Sequence, residues 1–262
     1  VSLMGTLTYA HNEITEKDEP AAVVGTNRAE TGYPTGQNRG YIAERLFTND
    51  DFADVAAGTL KEGIPAQTFT AKLRPGDIKY VDVDGNGVVN SDDMTYLGYG
   101  NIPEIIYGIN GSLNWKNFDF SFLMQGAANA QVYLKGGIIL PYFNQGNLPQ
   151  FWVNEAWTEE NPSNRYPRLA ESVHNFPATD VPGVQTYLYN ASYLRLKNIE
   201  VGYTFPTSWL SRIGVTNARV YVNAQNLFTI SNVPQIDPEN TEQEGWTYPQ
   251  MKSFNFGLSL QF

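Results

Sequence analysis

From Ile105 onward the chain alternates with a period of two. Ile105, Tyr107, Ile109, Gly111, Leu113 and Trp115 share one parity, and Gly108, Asn110, Ser112 and Asn114 the other. Successive side chains of a strand point to opposite faces, so this run predicts a strand with one apolar and one polar side. Lys116 and Asn117 fit a two-residue turn, after which Phe118, Phe120, Phe122 and Met124 alternate with Asp119, Ser121, Leu123 and Gln125. Together they predict a long hairpin with an aromatic outer face. The pattern returns from Tyr193 to Phe205, where Leu194 and Leu196 give way to Ile199, Val201, Tyr203 and Phe205. That change of parity near Lys197 and Asn198 predicts a β-bulge. Ala218, Val220, Val222 and Ala224 repeat the alternation, as do Phe254, Phe256, Leu258, Leu260 and Phe262. Another strand opens the chain with Val1, Leu3, Leu7 and Tyr9 on one side, and Tyr33 to Phe47 is expected to add a further pair.

The links between these strands are unequal: short at 116–117 and 206–217, long at 11–103, 127–191 and 229–250. Excursions that long count against strands of a compact soluble domain. A transmembrane barrel, by contrast, has short periplasmic turns at one end and long extracellular loops at the other. With Phe262 on the periplasmic side, parity puts every short link there and every long one outside. The fold expected is therefore all-β, an antiparallel transmembrane β-barrel segment with long extracellular loops. A soluble β-sandwich, its apolar faces turned to a shared core, is the other reading of the same alternation. Polar faces rich in Asn, Ser and Gln favour a wetted lumen, and aromatics near strand ends favour membrane-interface girdles.

Composition narrows the classes. Of 262 residues 17% are charged, against roughly 25% in soluble domains, and 13% are aromatic. A net charge of −10 argues against nucleic acid and against a polybasic membrane patch. Without cysteine there are no disulfides, thiolate nucleophiles or Cys-based zinc sites, and His11 and His174 lack metal-ligand spacing. No run approaches the roughly 18 apolar residues of a membrane helix. Mean hydropathy of −0.35 does not separate a soluble sheet from a barrel, since a barrel turns only every second residue to lipid. Val1 is not a start Met and no signal peptide follows it, so a processed or truncated piece is expected.

Residues 82–93 read DVDGNGVVNSDD. Against the calcium-loop template, Asp82, Asp84 and Asn86 take positions one, three and five, and Gly87 makes the sharp turn at six. Val88 offers its carbonyl at seven, Asn90 stands at nine, and Asp93 replaces the usual Glu at twelve. Hard oxygen donors at this spacing suit Ca²⁺ held as a structural staple. An Asx-rich turn bonding its own amides accounts for the same residues, and no amphipathic helix pair flanks them.

The 127–191 loop gathers Tyr142, Phe143, Phe151, Trp152, Trp157 and Tyr166, with Arg165 and Arg168 nearby. Such rings serve as platforms for a substrate or a partner, or as the small core that a long loop needs. Asp119, Arg195, Lys197, Arg219 and Gln225 have the parity of the polar face and are candidates to line a lumen. Catalysis is not expected: Asp92 and Asp93, like Glu159 and Glu160, are adjacent acids in solvated loops rather than carboxyls held across a cleft. No nucleophile elbow or phosphate loop accompanies them.

Four stretches in order carry a family resemblance: GDIKYVDVDGNGVVNSDDMTYLGYGNIPEIIYGINGSLNWKNFDFSFLMQG, SYLRLKNIEVGYTFP, ARVYVNAQNLFTI and SFNFGLSLQF. Over about residues 76 to 262, with a weaker match before, the chain resembles the C-terminal part of SusC/RagA-type TonB-dependent outer-membrane transporters. The resemblance implies a barrel of about 22 strands, filled by a plug domain that this chain lacks. It implies energy coupling through TonB by the missing N-terminal region, and a SusD-like surface lipoprotein that captures oligosaccharides or peptides. Phe254, Phe256, Leu258, Leu260 and Phe262 resemble the C-terminal signal read by barrel-assembly machinery. The whole chain, 1–262, is then expected to be barrel wall and loops in the outer membrane, in contact with lipid and with the rest of the barrel and plug. The alternative from another class is a secreted, calcium-stabilised β protein that binds carbohydrate.

Overall fold

The structure, a computed structural model, describes residues 1–162, 165–170, 185–211, 214–240 and 244–262. Its largest sheet is built from β1 (Ser2–Tyr9), β2 (Ile105–Trp115), β3 (Phe118–Ala128), β4 (Tyr193–Thr204), β5 (Asn217–Gln225), β6 (Thr229–Ser231) and β7 (Ser253–Gln261). The spatial order is β1-β2-β3-β4-β5-β7, with β6 on β4, and every pairing is antiparallel. Chain order is thus spatial order. The two-residue turn stands where expected, with Trp115 opposite Phe118 and Lys116 at φ 54. Asn117 Nδ2 donates to Thr204 O at 2.7 Å, tying the turn to the next strand.

Register carries one apolar face across all six long strands. Leu3 lies opposite Gly111, Leu113 opposite Phe120, Phe120 opposite Val201, Val201 opposite Val222, and Val222 opposite Phe256. The face is open: Leu7 is 74% exposed and Phe256 81%. A sandwich would cover these side chains with a second sheet, and among the described residues none does, against the sandwich expectation.

The bulge expected near Lys197 is present. Leu123 pairs with Asn198 and Met124 with Leu196, which leaves Lys197 as the extra residue and keeps Leu194 and Leu196 on the apolar side. Opposite it, β5 breaks at Asn226, φ 51, and resumes as β6, with the Asn226 and Leu227 amides still donating to Lys197 O and Leu196 O. The strand expected over Ala218 to Gln225 therefore continues to Ser231, into the link expected from residue 229, and Ile230 pairs with Leu194.

The long links all leave from one end and fold against each other. Residues of 11–103 and 127–191 share one core that includes Tyr41, Tyr80, Val89, Leu134, Trp152 and Tyr187. The expected pair over Tyr33 to Phe47 does not form as such. Gln37–Gly40 pairs with Thr95–Gly100 and Ala43–Leu46 with Ile78–Tyr80, outside the large sheet. Only Tyr41 and Ile42 separate the two segments; neither makes a hairpin turn, and Tyr41 is buried against Phe69 and Tyr80 instead. A second small cluster, Phe47, Phe52 and Leu73, is stapled by Arg45 to Asp51 at 2.5 Å.

Candidate functional site

The acidic loop curls on its own carboxylates. Asp82 accepts from the Gly85, Asn86 and Gly87 amides at 2.8, 3.2 and 2.7 Å. Asp93, fully buried, accepts from Val83 and Asn90 amides, both at 2.7 Å. One carboxylate oxygen each from Asp82, Asp84 and Asp93 lies within 4.8 Å of the others. Burial opposes ionisation of Asp82, but the amides of Gly87, Gly85 and Asn86 hold its carboxyl below the usual range. Asn86 Oδ1 accepts from Val88 N, and Asn90 caps the short turn Ser91–Asp93 by accepting from Asp92 N at 2.8 Å. Val88 lies in a parallel ladder with Ala66. From outside, Asn27 Nδ2 reaches Asp92 O at 2.5 Å and Arg28 pairs with the Asp92 carboxylate at 3.0 Å. All six anticipated positions are thus in one loop, with Asn90 and Asp93 also serving as caps.

The loop aromatics separate into two sets. Trp152 is fully buried, its Nε1 donating to Ile139 O at 2.6 Å, and its ring lies 5.3 Å from that of Tyr166. The Tyr166 hydroxyl meets that of Tyr189 at 2.8 Å inside the same core. Trp157 packs on this core and fills the space above Gly76, whose φ of 83 and missing Cβ admit the ring. Phe143 and Phe151 are half-buried, and Tyr142, at 38%, is the exposed ring of the six. Arg165 stacks 4.4 Å above Tyr189, and Arg168 pairs with buried Asp77 at 2.9 Å. Trp152 and Tyr166 accordingly offer no surface to a ligand or partner. His174 lies outside the described residues.

On the polar face the expected charged residues are held by ion pairs. Arg219 reaches the Asp119 carboxylate over Gly202 and pairs with Glu200 at 2.7 Å. Arg195, only 2% exposed, contacts Asp237 at 2.6 Å, Glu239 at 3.3 Å and Thr229 Oγ1 at 2.8 Å. Lys197 also reaches Glu239, at 2.7 Å. Gln125 lies opposite Arg195, and Gln225 opposite Asn198. Glu200, Asp237 and Glu239 had not been anticipated. Glu200 was readable from its parity, whereas Asp237 stands 42 positions from Arg195 and carries no local signal.

The apolar face ends in aromatics. Near the short turns Trp115, Phe118, Tyr203, Phe205 and Trp209 form a chain of ring contacts. Phe254, Phe256, Leu258, Leu260 and Phe262 all stand exposed on or beside β7. Among the described residues no helix is long and apolar enough to cross a membrane, which says nothing of strands.

No family model matches the chain. It is 33% identical to TonB-dependent receptor P26 of Formosa agariphila over 246 residues, 87% of this chain and 24% of that protein. It is 28% identical to TonB-dependent receptor SusC of Bacteroides thetaiotaomicron over 268 residues, 98% of this chain and 24% of that protein. Among solved structures it resembles the RagAB peptide importer in the open-open state, with TM-score 0.69, 22% identity, and coverage of 99% of this chain and 26% of that one. The closed-closed state gives TM-score 0.64 with 23% identity and the same coverage of this chain, 27% of that one. The chain therefore spans about a quarter of the length of the relatives it matches, and the structural likeness shows the fold of the sheet: antiparallel barrel wall.

Proposed function

The chain belongs to the SusC/RagA-type TonB-dependent receptors and lies in the outer membrane; from that premise we propose that it is one segment of a larger importer of oligosaccharides or peptides. In this reading the polar face is lumen wall, the apolar face meets lipid, and a plug fills the barrel. A SusD-like surface lipoprotein delivers cargo and TonB supplies the energy. The observation that carries it is the polarity of the sheet. Six long strands keep one apolar and one polar face in register, with every long loop at one end. Neutral and paired side chains on the polar side suit a wet path that does not trap its cargo. Deleting the gene for the full-length receptor should abolish uptake of oligomeric nutrient, and purifying the receptor in detergent should bring a surface lipoprotein with it. Unchanged uptake together with no lipoprotein would defeat the proposal.

For loop 82–93 we propose bound Ca²⁺ as a staple. Three carboxylates within 4.8 Å, together with Asn86, Asn90 and the Val88 carbonyl, form an all-oxygen donor set of the type calcium takes. In this role Ca²⁺ would offset the mutual repulsion of Asp82, Asp84 and Asp93. Titrating the receptor with Ca²⁺ should slow proteolysis of this loop, and Asp82→Asn should remove the effect. No calcium-dependent protection would refute it.

A further inference from the structure

The loop that follows β6 touches the polar wall through charge. Up to Ser231 the chain is held by the ladder of β6 on β4. Beyond it, backbone bonds close turns within residues 232–240: Ile236 N–H to Pro234 O at 2.8 Å and Asn240 N–H to Asp237 O at 2.9 Å. Two prolines, Pro234 and Pro238, stiffen this piece. Val233 and Ile236 rest on the loop core, while Asp237 and Glu239 reach down to Arg195 and Lys197 at the bulge. A stiff segment held to the wall by side chains can swing as a body, which a ladder-bonded strand cannot.

What the segment covers is part of the wall. Ile106, Gln125, Ala127 and Tyr193 from β2, β3 and β4 line a cavity of about 180 Å³ that Pro238, Glu239 and Asn240 close together with residues of the other two long links, Pro103 and Val132 among them. Ala127 and Tyr193 belong to the polar parity that elsewhere meets the lumen, yet here they are 3% and 8% exposed. The two cations and two carboxylates of the grip balance each other. A buried pair of this kind is strongly disfavoured once one partner is removed, so it behaves as a two-position catch.

We propose that residues 232–240 are a charge-latched strap at the mouth of the barrel, closed in this structure, whose release from Arg195 and Lys197 uncovers the wall for cargo. It rests on the importer reading, and its first readout does not need transport. In the full-length receptor on intact cells, Ala127→Cys marks the covered wall in a segment that has no cysteine of its own. A membrane-impermeant maleimide should label it slowly, and Asp237→Asn with Glu239→Gln should speed labelling about tenfold. Lys197→Cys with Glu239→Cys, joined by a short bis-maleimide before the wall is probed in a parallel sample, should keep the strap shut and cut cargo uptake about tenfold. The bridged receptor decides the matter should the neutralised one not assemble. Equal labelling with and without the latch, or full uptake with the strap bridged, would overturn the proposal. Failure of the importer reading looks different: the unmodified receptor then takes up no cargo, while labelling still responds to the latch.

Discussion

Gly202 lies opposite Asp119 on one neighbouring strand and Tyr221 on the other, and the Asp119–Arg219 pair meets directly above it. A Cβ at this position would run into the Arg219 guanidinium and the Asp119 carboxylate. Gly202→Val should therefore part the pair rather than break the strand, costing about 1–2 kcal/mol. In an Asp119→Asn, Arg219→Gln background the same change should cost less, as denaturant midpoints of the full-length receptor would reveal. Asp51 makes a pH-dependent counterpart in the loops. Its bonds from Arg45, with help from the Thr48 amide and against its burial, hold the carboxyl at about 2, down from 3.8. Because the folded value is the lower one, this stabilisation is complete above about pH 4 and disappears as pH falls toward 2. With Arg45 half-exposed, it amounts to about 1–2 kcal/mol. Hydrogen exchange at the Thr48 amide, corrected for intrinsic rate, should show the loss across that window, and Asp51→Asn should abolish the dependence.

At the scale of elements, the helix α1 (Gln150–Glu155) has six residues, far too few to persist alone. It exists because Trp152 is sunk in the core that two long loops share. Trp152→Ala removes the largest side chain there and should cost those loops about 3–5 kcal/mol. Chymotrypsin should then cut within them in the intact membrane while the barrel strands remain protected. The segments at Gln37–Gly40 and Ala43–Leu46 follow the same rule: each takes a partner from far along the chain because that buries Tyr41 and Leu46. The bulge at Lys197 differs, since a strand that must keep one face in lipid has to absorb any slip of parity locally.

For the whole molecule, the two faces of the sheet should respond oppositely to charge. Val222 stands on the apolar face near the middle of β5, and Asn255, bonded to Asn223 at 2.8 Å, on the polar one. Val222→Arg places a cation in lipid and should destabilise the barrel by about 2–4 kcal/mol. Asn255→Arg, projecting into water, should change stability little. Urea midpoints of the receptor refolded in lipid vesicles compare the two, and equal effects would contradict the assignment of the faces.

Sequence alone determined what depends on neighbours in the chain. Period-two alternation set the strands and their faces, Lys116 and Asn117 set the turn, and the slip at Lys197 and Asn198 set the bulge. The spacing of Asp82, Asp84, Asn86 and Gly87 marked a tight loop for the same local reason. Tertiary structure decided the rest: which of the 127–191 aromatics are walled in, which strands Tyr33 to Phe47 supplies and to what, and how Arg195 meets Asp237. Those contacts join residues tens of positions apart, where loop closure is weighed against whatever surface the folded loops bury. A strand's two faces are written in successive residues; the partner of a buried arginine is chosen only when the loops have closed.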